Sequence, residues 1–133
     1  NQTKLMETNA TSAFQFAQDD DLRGTQRFYG DHYENNDDVA SSTALGTLVD
    51  IMVVENVSID RGGDLDYYTV TLNDSLVDIS VMPVGSTYLL GNQGGSPPVP
   101  ISTDSISDPD FEVYDASGTV LLASSTSGGL GQE

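Results

Sequence analysis

Residues 63–72, Gly-Asp-Leu-Asp-Tyr-Tyr-Thr-Val-Thr-Leu, contain the pattern that decides the fold class. Tyr68, Val70 and Leu72 alternate there with two threonines. Successive side chains of a β-strand point to opposite faces, so this alternation predicts a strand with one apolar and one polar face. Tyr68 is expected on the apolar, core-facing side of that strand.

The same two-residue period recurs along the chain, whereas helical periodicity is nearly absent. The only helix candidate is residues 37–45, one or two turns long. Short strands separated by Gly, Asn and Asp are typical of an antiparallel sandwich. The sequence therefore predicts an all-β fold, a jelly-roll-like antiparallel β-sandwich of six or seven strands. The expected strand segments are 49–59, 68–72, 77–81, 84–90, 111–114 and 119–123, and the Gly- and Pro-rich loop 91–100 is expected to be irregular.

The chain divides near Gly30 into an extension and a body. Its 133 residues are the length of one domain. Residues 1–29 are predicted to be an N-terminal extension, and residues 30–133 the sandwich domain. Within the extension, residues 11–18 alternate so that Phe14 and Phe16 share one face of a candidate strand. Because the chain starts at Asn rather than Met, we expect a mature or trimmed product.

The charge of the chain excludes two classes of partner. Twenty-one Asp and Glu against four Lys and Arg give a formal net charge of -17. Binding of nucleic acid depends on clustered basic residues, and an anionic membrane surface repels an acidic protein. No nucleic-acid or membrane partner is therefore expected. Self-repulsion at this charge destabilises a compact fold unless cations bind, which makes calcium a candidate ligand.

The composition also argues against catalysis. The chain has no cysteine and a single histidine, His32. Thiol chemistry and cysteine-based zinc sites are therefore ruled out, and no serine lies in a nucleophile-elbow setting. We expect His32 to be a surface residue beside a metal-binding loop, and we expect the protein not to be an enzyme.

Three stretches resemble the bacterial pre-peptidase C-terminal (PPC) domain family, to which the collagen-binding domains of clostridial collagenases are related. The first is Tyr-Glu-Asn-Asn-Asp-Asp at residues 33–38, followed by Leu45-Gly46. The second is the Asp-Leu-Asp-Tyr-Tyr segment at residues 64–68. The third is Asp-Pro-Asp-Phe-Glu-Val-Tyr-Asp-Ala-Ser-Gly at residues 108–118. The resemblance runs from about residue 33 to the C-terminus.

The resemblance implies a secreted, non-catalytic β-sandwich module at an extracellular or cell-surface location. It also implies a calcium site built from the first motif and the acidic turn ahead of the second. Where the collagen-binding members have a further Glu, two residues ahead of Glu34, this chain has His32. The calcium ligands that the resemblance implies are Glu34, Asn36, Asp37, Asp60 and Asp64.

The family pattern normally ends with a pair of strands after the third motif, but here the chain stops at residue 133, where those strands would begin. An incomplete sheet has an open edge that can accept a strand by main-chain pairing. The segment with Phe14 and Phe16 could supply that strand to a neighbouring chain, which would give a homo-oligomer or filament. It could equally fold back into its own sheet, which would give an accessory module of a larger exported enzyme.

Two further groups of residues are candidates for binding or modification. An accessory module would recognise an extracellular protein or polysaccharide, and Tyr67 and Tyr114 are the better surface candidates for that contact. Asn-x-Ser/Thr sequons, which mark possible N-glycosylation, occur at Asn1, Asn9, Asn56 and Asn73.

Overall fold

The computed structural model describes residues 17, 19–74, 76–90, 97 and 99–126. These residues form mostly strands with one short α-helix, so the predicted all-β class is broadly right. No helix among them is both long enough and apolar enough to cross a bilayer. The elements are α1 (Asp19–Tyr29), β1 (Thr43–Leu48), β2 (Tyr68–Leu72), β3 (Thr87–Leu90), β4 (Val99–Ser102), a 3-10 turn (Thr103–Ser105), β5 (Phe111–Tyr114) and β6 (Leu121–Ser125).

Helix α1 was not predicted from the sequence. It carries Asp21 in its first half and Arg27 in its last turn, and both charges complement the helix dipole. Gly30 ends it in a left-handed conformation, with φ +66° and its N–H donating to the Gln26 carbonyl at 2.7 Å. Two features hide this helix in the sequence. The acidic run at its start interrupts the strand-like alternation before it, and Gly24 in its middle weakens the helical pattern. The extension therefore contains a helix.

The predicted helix over residues 37–45 is wrong, because a turn and a strand occupy that segment. The Asp38 carboxylate accepts hydrogen bonds from the Ser41 N–H at 2.8 Å and from the Ser41 hydroxyl at 2.7 Å. Such local side-chain bonds compete with helix formation and favour a turn. Strand β1 then begins at Thr43, and its register against β2 shifts between Ala44 and Gly46.

The strands form three separate two-stranded sheets, and only two of these are antiparallel. Strands β3 and β4 pair antiparallel, as do β5 and β6. Strands β1 and β2 pair parallel, from Thr43 opposite Tyr68 to Leu48 opposite Leu72. The expectation of antiparallel pairing throughout is therefore wrong for this pair. Parallel pairing requires a long connection, here residues 49–67, whose path the alternation does not reveal.

Two segments with clear alternation are not strands. Residues 49–59 and 77–81 are described but belong to no regular element. An alternating pattern predicts two faces but provides no hydrogen-bonding partner, and without a partner a segment is not part of a sheet. The strand expected over residues 84–90 begins only at Thr87.

The irregular loop predicted over residues 91–100 is wrong for its last two residues, because Val99 and Pro100 belong to β4, and of residues 91–98 only Pro97 is described. Pro100 lies opposite Leu89 in a strand that has one partner only. Proline lacks an N–H, so it is tolerated in such an edge strand.

The predicted turn between the last two strands is confirmed. The Asp115 carboxylate accepts from the Ser117 hydroxyl at 2.7 Å and from the N–H groups of Thr119 and Val120 at 3.2 Å. These bonds stabilise the charged form and lower the pKa of Asp115. Strand β6 follows at Leu121–Ser125, two residues later than the alternation indicated.

Among the described residues, no hydrophobic side chain is buried. The expected core residue Tyr68 is half-buried, and its ring packs edge-on against Tyr33 with centroids 5.8 Å apart. The fully or nearly buried residues in this part of the chain are polar, namely Asn36 and Asp64. The most enclosed region of the described fold is therefore the acidic site.

Candidate metal centre

Three segments of the chain converge on this site. They are residues 30–38 after α1, the turn over residues 58–64, and the start of β2. The Tyr67 N–H donates to the Asn36 carbonyl at 2.9 Å, which joins the first segment to the third. The Ser58 N–H donates to the Asp31 carboxylate at 2.8 Å, which joins the first to the second. The site is therefore built by contacts between residues distant in sequence.

The end of α1 positions Glu34. Gly30 terminates the helix, and a Cβ atom there would lie 2.0 Å from Cγ of Glu34. A side chain at residue 30 would therefore displace Glu34. The carboxylate lies in a cleft that is also lined by Arg61, Asp60 and Asp64.

Three carboxylates share one small volume. One ligand oxygen from each of Glu34, Asp37 and Asp64 can be chosen so that all three lie within 4.8 Å of one another. Asp64 is buried, Glu34 half-buried and Asp37 exposed. These are three of the five ligands that the family resemblance implies.

Asp60, the fourth implied ligand, belongs to the same group through direct contacts. Its N–H donates to the Asp64 carboxylate at 2.7 Å, and its own carboxylate accepts from the Ser58 hydroxyl at 2.7 Å. Its carboxylate also shares a hydrogen bond with Glu34. The turn that holds it is closed by the Asp64 N–H, which donates to the Arg61 carbonyl at 3.1 Å.

Asn36, the fifth implied ligand, is fully buried. Its amide Nδ2 donates to the Tyr67 carbonyl at 3.4 Å, and its side chain also lies against the hydroxyl of Tyr68. Its Oδ1 and that hydroxyl are both buried, and no hydrogen bond of standard geometry joins either of them to a described residue. Burial of an oxygen without a donor or a cation is unfavourable. Asp66 presents a second such oxygen, because its Oδ1 is also buried and without a partner.

The electrostatics of the site disfavour negative charge in the absence of a cation. Burial, a hydrogen bond to Asp60 and the nearby charges of Asp64 and Asp37 raise the pKa of Glu34 to about 7. Burial, followed by the charge of Asp31 and then those of the cluster, raises the pKa of Asp66 to about 6. Carboxylates that repel one another in this way are neutralised by protons or by a bound cation.

The donor set fits a hard cation. Calcium takes six to eight oxygen ligands from carboxylates, amides and carbonyls. The site has carboxylates at several positions, the unpartnered amide oxygen of Asn36, and no cysteine anywhere in the chain. The single histidine, His32, is exposed and has its ring against that of Tyr33, with centroids 5.1 Å apart. These residues can hold calcium.

Sequence reasoning missed two acidic residues of this site. Asp66 lies within the Asp-Leu-Asp motif, yet the resemblance implies only the first aspartate of that motif, Asp64, as a ligand. Asp31 precedes the first motif, and its carboxylate accepts hydrogen bonds from the backbone N–H groups of Tyr33 at 2.6 Å and Ser58 at 2.8 Å. The motif itself could have indicated Asp66, whereas no sequence pattern indicates Asp31.

The two tyrosines proposed for ligand binding lie near each other, and the backbone of Tyr67 is bonded to Asn36 of the site. The Tyr114 hydroxyl donates to Glu112, and this hydrogen bond is the main cause of the raised pKa of Tyr114, with a smaller contribution from Tyr67. Tyr114 is exposed and Tyr67 half-buried.

Of the proposed glycosylation sites, Asn56 and Asn73 are exposed, and Asn56 has a positive φ of 61°. The other two, Asn1 and Asn9, lie outside the described residues, as do Phe14 and Phe16. Of the segment 11–18, only Ala17 is described, and it is exposed.

Comparison with protein-family models, with curated proteins and with solved structures finds no match to this chain. The family resemblance therefore rests on the sequence motifs alone.

Proposed function

We propose that this protein is a non-catalytic, secreted structural subunit that is stabilised by calcium and self-assembles into extracellular filaments by strand donation. The observation that most supports self-assembly is that no hydrophobic side chain is buried in the described part of the chain. Burial of apolar surface is the dominant favourable term in folding and in most protein association. A chain whose apolar residues are exposed can bury them by associating with other chains, and this burial stabilises the assembly.

The proposed subunit is a β-sandwich that the incoming strand completes. The three sheets formed by the described residues have two strands each, so within that part of the chain every strand has an edge without a partner. Edge strands accept further strands by main-chain hydrogen bonds. The segment around Phe14 and Phe16 is the proposed donor, and donation from each chain to the next gives a contact that does not close.

Calcium is proposed to hold the region where the three chain segments converge. Supporting this assignment are the three grouped carboxylates and the unpartnered, fully buried oxygen of Asn36. Bound calcium would offset repulsion within the site and contribute to the stability of the subunit by mass action. An extracellular or cell-surface location follows for this proposal from the resemblance to secreted modules.

The experiment is light scattering of the full chain in millimolar calcium, repeated with excess chelator. We expect a large, polydisperse mass that falls on chelation. The variant F14D/F16D should remain monomeric, whereas S80D/S124D, which adds the same charge at exposed polar positions, should still assemble. A stable mass of one chain in both conditions would overturn the filament proposal.

The second candidate is an accessory binding module of a larger exported enzyme. The observation that favours it is the neighbouring pair Tyr67 and Tyr114, of which the second is exposed and carries a hydrogen-bonded hydroxyl. Tyrosines with a polar tip and an apolar body are common at binding surfaces for protein or polysaccharide. A monomer whose binding to such a ligand is lost in the Y114A variant would favour this alternative.

A further inference from the structure

Residues 49–54 expose apolar side chains, and among the described residues no strand pairs with them. Val49, Ile51 and Val53 are 84%, 82% and 71% exposed, Met52 and Val54 are half-buried, and Asp50 is exposed. From residue 51 to residue 54 the exposure therefore alternates, as it does on the two faces of a β-strand. No helix or strand includes residues 51–54, and no backbone hydrogen bond joins them to another described residue. We define residues 49–54 as the acceptor segment.

We propose that the acceptor segment is the site at which the donor strand, residues 11–18, adds to the sheet. This inference rests on the proposed function and names the surface that it uses. A backbone with unpaired N–H and C=O groups and a row of apolar side chains on one face is a template for another strand. Phe14 and Phe16 provide a matching apolar row with the same two-residue period.

The charges on the two segments agree with this pairing. In a chain with a net charge of -17, most docking surfaces repel a second copy. Residues 8–18 contain no charged side chain, although Glu7 and Asp19 flank them directly. Residues 51–54, Ile-Met-Val-Val, are also uncharged and lie between Asp50 and Glu55. The neutral donor segment can therefore pair with the four neutral residues 51–54 without the repulsion that the rest of the chain would impose.

Residues 76–82, which also belong to no described helix or strand, are a poorer match for the donor strand. Residues 76–82 expose Leu76 and Met82, but Asp78 and Ser80 lie between them on the same parity. A donor strand placed there would cover a carboxylate with a phenylalanine, and burial of a charge without a partner is unfavourable. The acceptor segment has no charged residue on its exposed parity from residue 49 to residue 53.

The first test measures peptide binding to the full chain. A fluorescent peptide of residues 9–18 is titrated into the F14D/F16D chain, in which the chain's own donor strand is disabled, and its anisotropy is followed. We expect saturable binding that is lost when I51D is added. V84D is the matched control, because Val84 is 96% exposed and lies outside the acceptor segment. Equal binding by the I51D and V84D chains would overturn the acceptor assignment.

The second test uses the absence of cysteine from the native sequence. In the proposed pairing, the two-residue period assigns Gln15 and Met52 to the faces opposite to the phenylalanine contact, so single-cysteine chains Q15C and M52C keep the apolar rows intact. On mixing under mild oxidation, these chains should form a disulfide-linked pair in higher yield than Q15C mixed with S124C. An equal yield in the two mixtures would overturn the proposal.

The failure of this proposal can be distinguished from failure of the filament proposal. Suppose that peptide binding depends on Ile51 but the wild-type chain stays monomeric in light scattering. This result would support the acceptor segment, with the strand donated within one chain, and would overturn the filament proposal. Filaments that persist in I51D support assembly and overturn the acceptor segment.

Discussion

Asn36 and Tyr67 exchange two hydrogen bonds across 31 residues of sequence. The Tyr67 N–H donates to the Asn36 carbonyl at 2.9 Å, and the Asn36 amide donates to the Tyr67 carbonyl at 3.4 Å. This pair holds the first acidic motif against the residue that precedes β2. It therefore brings Glu34 and Asp37 to Asp64, and the candidate metal centre depends on it.

The N36A variant should be less stable than the wild type by about 1 kcal/mol, because it removes the hydrogen bond from the Asn36 amide to the Tyr67 carbonyl, which then keeps only the Thr43 N–H as a donor. Urea denaturation in chelator measures this effect. The matched control is N35A, since Asn35 is the exposed neighbour. Equal stability of the two variants would show that the pair does not hold the site together.

The D64N variant should bind calcium at least about tenfold more weakly than the wild type, because the charge of the ligands sets calcium affinity. Isothermal titration calorimetry on the full chain measures the dissociation constant. D74N removes one charge at an exposed position outside the cluster and should leave the affinity nearly unchanged. The metal site is wrongly assigned if the two variants bind calcium equally.

In chelator, the free energy of unfolding should fall as the pH rises from about 5 to about 8. The pKa of Glu34 is about 7 in the folded chain against an ordinary 4.5, and that of Asp66 about 6 against 3.8. A raised pKa means that the folded state binds the proton more tightly than the unfolded state. The stability that this proton binding contributes is fully present below the ordinary pKa values, and it is lost as the pH rises through 6 and 7.

Denaturant titrations at several pH values measure this trend. The double variant E34Q/D66N should show a weaker dependence on pH than the wild type, and saturating calcium should reduce the dependence in the wild type. A control variant, D50N/D74N, should keep it, because these exposed aspartates lie outside the site. A steep dependence retained by E34Q/D66N would contradict the assignment.

The G118A variant should be destabilised by about 1–2 kcal/mol, because a residue with a Cβ atom is strained in the left-handed region. Gly118 has a φ of +68°, and a Cβ atom there would lie 2.7 Å from Cγ2 of Val39. The control is G62A, because Gly62 has no positive φ and no atom within 4 Å of an added Cβ. Thermal unfolding of the two variants should differ in midpoint, and identical midpoints would refute the close approach between Gly118 and Val39.

Local signals allowed parts of the fold to be predicted. The alternation in residues 68–72 and 111–114 corresponds to β2 and β5, and the Asp-Ala-Ser-Gly turn at 115–118 forms through bonds between near neighbours. Each of these features depends on residues close in sequence. Helix α1 also had local signals, the acidic start and the terminal Gly30, but Gly24 and the strand-like residues before it obscured them.

The candidate site was predicted in part for a different reason. The five implied ligands come from two motifs whose order and spacing resemble a known family, and in the structure these motifs meet. Asp31 could not be predicted, because its role comes from its contact with Ser58, 27 residues away. The lack of a hydrogen-bond partner at Asp66 Oδ1 likewise could not be predicted, because it results from burial, which the residue types of the motif do not reveal.

The sequence by itself determined the all-β class, the strong negative charge, the exclusion of cysteine chemistry and the acidic residues available for a cation. These follow from composition and from contacts between near neighbours. Only the tertiary structure decided that β1 and β2 run parallel, that residues 49–54 lack a partner, and that Asn36 is buried with an unpartnered oxygen. Strand direction, pairing and burial depend on which distant segments meet. The alternation of side chains along one segment does not indicate which segment pairs with it.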